Sequence, residues 1–134
     1  MTEALAGRLG QIHDALAARL PGTRWVGAAA HGVCATGTEY VDVPALAVMV
    51  CAIPDEDFRV FSGRAPLPGD EAALASIESA LVHADPATPD LADLLVDLSL
   101  RTRSGRLFGG VIGGDAGEEP VPAPQVAGEP MAGG

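Results

Sequence analysis

The chain has 134 residues, 8 basic against 18 acidic side chains, and a formal net charge of −10. That length is one domain's worth, and an apolar share of 48% excludes a chain disordered throughout. The acidity excludes non-specific nucleic-acid binding, which depends on clustered Lys and Arg.

Residues 2–20 read as a helix. Leu5, Leu9, Ile12, Leu16 and Leu20 form one apolar stripe at helical spacing, with Arg8, Gln11, Asp14 and Arg19 off it. Thr2 is placed to cap it, Gly7 and Gly10 weaken its first turns, and Pro21-Gly22 stops it. The start of the chain lacks the basic and continuous apolar regions of a signal peptide, so a cytoplasmic location is the expectation.

Residues 24–35 and 40–53 read as two strands with a turn at Gly37-Thr38. The glycines and the Ala28-Ala29-Ala30 run mark the first as a place for a bulge. Pro44 belongs on an edge or at a bulge, because it cannot donate a ladder hydrogen bond. The stretch 45–53 is continuously apolar, the pattern of a strand covered on both faces. It is too short to span a membrane, which needs about 20 apolar residues.

Residues 54–57 read as a turn and 58–61 as a short third strand. A Pro/Gly-rich connection over 62–69 leads to a second helix capped by Asp70, with Leu74, Ile77, Leu81 and Ala84 on one face. Pro86 and Pro89 end it. In the next segment Leu91, Leu94, Leu95 and Leu98 fit a helix starting at Asp90, while residues 96–103 alternate apolar and polar as a strand does. The preferred reading is a helical turn at 90–94 and then a hairpin over 95–112, turning at Ser104-Gly105.

Residues 113–134 contain ten Gly or Pro, four acids and no base, and read as a disordered acidic tail behind a domain spanning 1–112. The Ser-Gly pairs of 59–64 and 101–106, each set between arginines, are two similar turns rather than a repeat.

Few constellations carry chemistry. Zinc needs three or four protein ligands. His31 and Cys34 make one close pair, but His13, Cys51 and His83 fall on other elements, so no metal and no cofactor is expected. Cys34 and Cys51 do not make a disulfide framework and read as buried small hydrophobes. Glu39 and Asp42, and the run Asp55-Glu56-Asp57, could do acid–base work only if burial separated their pKa values, and turn carboxylates are usually solvated. No phosphate-binding loop, nucleophile elbow or zinc-protease motif is present, and Gly109-Gly110 is not followed by a helix that could complete a phosphate cradle.

Five of the eight arginines, Arg59, Arg64, Arg101, Arg103 and Arg106, lie on the two strand–turn segments. Brought together they would bind an anionic ligand or an acidic peptide, which the acidic tail could screen; otherwise they pair with Asp57, Asp97 or the tail.

The expected fold is α+β, in the order α-β-β-β-α-β-β. A mostly antiparallel sheet of about five strands would carry two helices on one face. This order resembles small acidic secretion-chaperone-like domains in topology alone. The second face of the sheet, with Leu46, Val48 and Val50, would then be an uncovered apolar surface. The expected function is accordingly a non-enzymatic interaction or adaptor domain that binds a protein partner or a second copy of itself, without nucleic acid or membrane. The alternative is an anion-binding protein or enzyme built on the arginine cluster.

Overall fold

The computed structural model describes residues 1–62, 76–86, 88–112, 124–127 and 129–132. Within them the fold is α+β, with two α-helices and small separate sheets instead of one five-stranded antiparallel sheet. Arg64 and Asp70, and with them the connection from residue 63 and the start of the expected second helix, lie outside the described residues.

The first helix is helical throughout but changes pitch. A 3₁₀ turn, Glu3–Arg8, leads into α1, Leu9–Arg19. The tighter pitch includes Gly7, which weakens an α-helix, while Gly10 is accommodated in α1. The stripe Leu5, Leu9, Ile12 and Leu16 is half-buried, as its spacing predicts. Thr2 does not cap with its side chain. Instead residues 1–3 lie as a short strap between two segments. Ala30 donates to the Met1 carbonyl (2.9 Å), Glu3 donates to the Ala30 carbonyl (3.0 Å), and Thr2 donates to the Ala45 carbonyl (2.9 Å).

The expected strand 24–35 is broken where this strap bridges Ala30. It becomes β1, Val26–Ala28, and β2, Gly32–Ala35. β2 pairs antiparallel with β3, Thr38–Val41, through a two-residue turn. Thr36 and Gly37 both have positive φ (55° and 75°), the backbone that lets a two-residue hairpin match the strand twist.

β3 ends at Asp42, whose φ of 57° turns the chain out of the extended region, and Pro44 follows. The expected strand over 40–53 therefore stops early. Residues 46–53 are in no strand, and their apolar side chains are exposed rather than covered on both faces. The turn at Asp55–Asp57 is a 3₁₀ turn, and 58–61 form no strand.

The second expected helix fails at its end, because Ser79–Ala84 is β4. Leu81, Val82 and Ala84 suit a strand as well as a helix face. Their partner decides the matter: β5, Arg106–Val111, runs parallel to β4 over all six residues. The connection is α2, Leu91–Leu100, so 95–112 is not a hairpin. The leucines at 91, 95 and 98 turn inward and their period outweighs the alternation that suggested a strand. A parallel pair needs such a crossover. The turn at Ser104-Gly105 is as expected, with Gly105 at φ 67°. It is tied back to the start of β4: Arg103 N–H donates to the Ile77 carbonyl (2.8 Å) and Ser104 N–H to that of Glu78 (3.2 Å).

Two strands lie beyond residue 112. β6, Pro124–Ala127, pairs antiparallel with β1 and with β7, Glu129–Ala132. Composition does not predict them, since one short run such as Gln125-Val126-Ala127 can pair when a free strand edge is offered.

Among the described residues the buried apolar side chains are few: Ala29, Ala84 and Ile112. Thr2, Asp85 and Thr102 are buried beside them. Most other large apolar side chains are half-buried or exposed, and both cysteines are exposed, against the expectation of burial.

Candidate functional site

Two neighbouring features share one piece of chain. The stripe of α1 faces β1 and the segment that follows Ala45. Between them lies a crevice of about 120 Å³, lined by Leu9, Ile12, His13, Leu16, Trp25 and residues 46–49, among others. Thr2 fixes that segment from the other end. Its Oγ1 donates to the Val43 carbonyl (2.8 Å) and accepts from the Ala45 N–H (2.9 Å). With Thr2 at 1% exposure, these bonds are shielded from water.

The same segment is also open to solvent. Leu46, Val48 and Val50 are 44%, 46% and 57% exposed, and Met49, at 82%, stands almost free. Val43, Ile53 and Cys51 extend the run. An uncovered face at Leu46, Val48 and Val50 is what the sequence predicts, whereas the covered strand over 45–53 is not found. The cause of the exposure differs: the run is an extended segment outside any sheet, not the back of a sheet.

Polar groups near the crevice are few. His13 Nδ1 lies 3.4 Å from Asp14 Oδ1. The Trp25 indole nitrogen is buried without a hydrogen-bond partner, as is Oε1 of Glu3. The Met1 ammonium donates to the Ala28 carbonyl (3.0 Å), and burial lowers its pKa. Neither Trp25 nor His13 stood out in the sequence, where one is a strand residue and the other an isolated imidazole. The lone tryptophan of the chain was the only available signal.

The arginines are spread over two places. Arg59 donates to the carbonyls of Asp55 (3.0 Å) and Phe58 (2.8 Å). Nearby, Arg24 lies over the Phe58 ring at 5.2 Å and within 3.9 Å of Asp55. Arg101 pairs with Asp97 one turn earlier on α2 (2.7 Å), and Arg103 with Glu78 (3.3 Å). Arg106 opens β5, and Arg64 is outside the described residues.

His31 and Cys34 do not form a ligand pair. His31 Nε2 lies 3.8 Å from Asp42 Oδ1 across the hairpin mouth, and Cys34 is opposite Glu39 in the ladder. His83 on β4 shares a sheet face with Leu81 and Phe108. Burial lowers its pKa, and the Met1 ammonium adds to the shift.

Among the described residues no helix is long and apolar enough to cross a membrane. No curated protein and no solved structure matches the chain. The profile of the FIST N domain matches residues 2–130, and so spans both the crevice and the apolar run. The secretion-chaperone likeness, drawn from element order, gives way to that match. The chain belongs to the FIST N domain family, a sensor-like domain of signal transduction.

Proposed function

We propose that this domain works by docking a protein partner on the apolar run 43–53, with Leu46, Val48 and Val50 at its centre, and that the first partner is a second copy of the chain. The observation that carries this reading is the exposure of a continuous row of large aliphatic side chains on a segment whose position is fixed at one end by Thr2. Contiguous apolar surface costs free energy in water and is relieved by association. Residues 46–53 belong to no strand, so their backbone groups are available to pair with a strand from the partner. The role is non-enzymatic and its setting cytoplasmic. The anion-binding alternative has less behind it, because Arg101 and Arg103 are already answered by Asp97 and Glu78.

Sedimentation velocity tests the reading. The wild type should gain mass with concentration, towards twice 13.5 kDa. Val50→Glu with Ile53→Glu, both outside the crevice lining, should stay monomeric, with stability changed by no more than about 0.5 kcal/mol per site, since both side chains are more than half exposed. An unchanged association in the double variant would remove this surface from the account.

A further inference from the structure

We infer that the strand which receives the apolar run is β5 of a second copy, so that each copy lays its residues 46–53 along the other's β5 edge. The inference rests on the docking reading and names the surface that answers the run. Three observations carry it.

The first is an open edge. β4 and β5 form a two-stranded sheet, and in a parallel ladder every second residue of β5 directs its N–H and C=O away from β4. Among the described residues those groups have no backbone partner. Edge strands are commonly blunted by charges or proline, yet residues 107–111 carry neither, and Phe108 and Val111 are 57% and 54% exposed.

The second is length. β5 has six residues, enough to pair with most of the run. β2, β3 and β7 have four each, and β3 carries Glu39 while β7 carries Glu129 and Pro130. β4 is as long as β5 but mostly half-buried.

The third is charge. The run is bounded by Asp42 on one side and by Asp55, Glu56 and Asp57 on the other. β5 opens on Arg106, which has no carboxylate partner among the described residues. Antiparallel pairing sets the acidic turn beside Arg106, opposite charge against opposite. Two runs paired with each other would instead set that turn against Asp42 of the other copy, like charge against like. The exchange of run for edge is reciprocal, so a two-fold arrangement closes it at two copies.

Disulfide trapping tests this, because neighbouring strands bring facing Cα atoms to about 4.5–5.5 Å, within reach of a disulfide. Cys51 supplies an exposed thiol in the run. In the whole chain carrying Cys34→Ser, the substitutions Phe108→Cys, Gly110→Cys and Val111→Cys are made one at a time; a side chain at Gly110 meets open space. Ala18→Cys, exposed on α1, is the control. Under mild oxidation, at concentrations where the sedimenting mass doubles, at least one of the three should link Cys51 to the introduced thiol of the other copy at least tenfold faster than the control, as read by peptide mass spectrometry. In a chain that sediments as a dimer, three results each overturn this inference and leave the docking reading standing: dimers linked mainly Cys51 to Cys51, links formed within one copy, or linkage at β5 no faster than at residue 18. A chain that sediments as a monomer at every concentration overturns both.

Discussion

The apolar run after Ala45 and the unit formed by β4, α2 and β5 are both rich in aliphatic residues, yet they end in different states. In the second region a parallel neighbour satisfies the backbone along six residues and α2 covers one face with Leu91, Leu95 and Leu98. In the first, hydropathy is at least as high, but Asp42 and Pro44 lead the chain away from β3 before any ladder can form. Hydrophobicity sets the demand for cover; a backbone partner decides whether the demand is met within the chain. Under the docking proposal, the difference locates the surface that a partner would cover.

The largest effect should come from spoiling the satisfied region. Gly109 has a φ of 115°, and a Cβ built on it would overlap the Val82 carbonyl. Gly109→Ala should therefore cost about 3 kcal/mol through strain and separation of β4 from β5. Urea unfolding measures it. A loss below half that size would show that the two strands do not approach so closely.

A smaller effect should come from the anchor of the apolar run. Thr2→Val keeps the shape but removes the hydroxyl bonded to Val43 and Ala45. The expected cost is about 1–3 kcal/mol by thermal or urea denaturation, because the Val43 carbonyl and the Ala45 N–H lose a shielded partner. Faster amide exchange at Ala45 should accompany it. Unchanged exchange there would separate the strap from the run.

The smallest effect is a pH dependence. His83 has its pKa lowered from 6.5 in the folded chain, so the unfolded chain takes up the proton first. Stability from this group is complete above pH 6.5 and falls as the pH drops from there through the folded value. His83→Gln should flatten that part of the stability curve between pH 7 and 5. As His83 is only partly buried, the change should be modest. An equal slope in the variant would assign the dependence to other groups.

The sequence made α1 legible because its stripe, its stop at Pro21-Gly22 and its weak glycine start are all local signals. The β2–β3 turn was legible for the same reason, displaced by one residue from Gly37-Thr38 to Thr36-Gly37. The parallel pairing of β4 with β5 was not, since nothing in Leu81 or Phe108 records which strand will lie beside them. The two readings left open over 90–100 were settled by tertiary packing on those strands. Exposure of Leu46, Val48 and Val50 was anticipated, but from a sheet face that the described residues do not form. The crevice was the least legible feature: Trp25 and His13 lie on different elements, and nothing local in either records that both line one crevice. Limited proteolysis would test the boundary at 112 drawn from composition, with β6 paired to β1 predicting protection at 124–127.

The central claim is that the run 43–53 is open on the free chain and closes only against a partner. Cys51 sits in that run and is exposed, so it reports directly on the state of the surface. With Cys34→Ser to leave one thiol, maleimide labelling of Cys51 should be fast in dilute solution. It should slow at least tenfold at concentrations where the sedimenting mass doubles. Labelling that is slow at every concentration would mean the chain already covers this surface itself, and labelling that stays fast in the associated form would place the interface elsewhere.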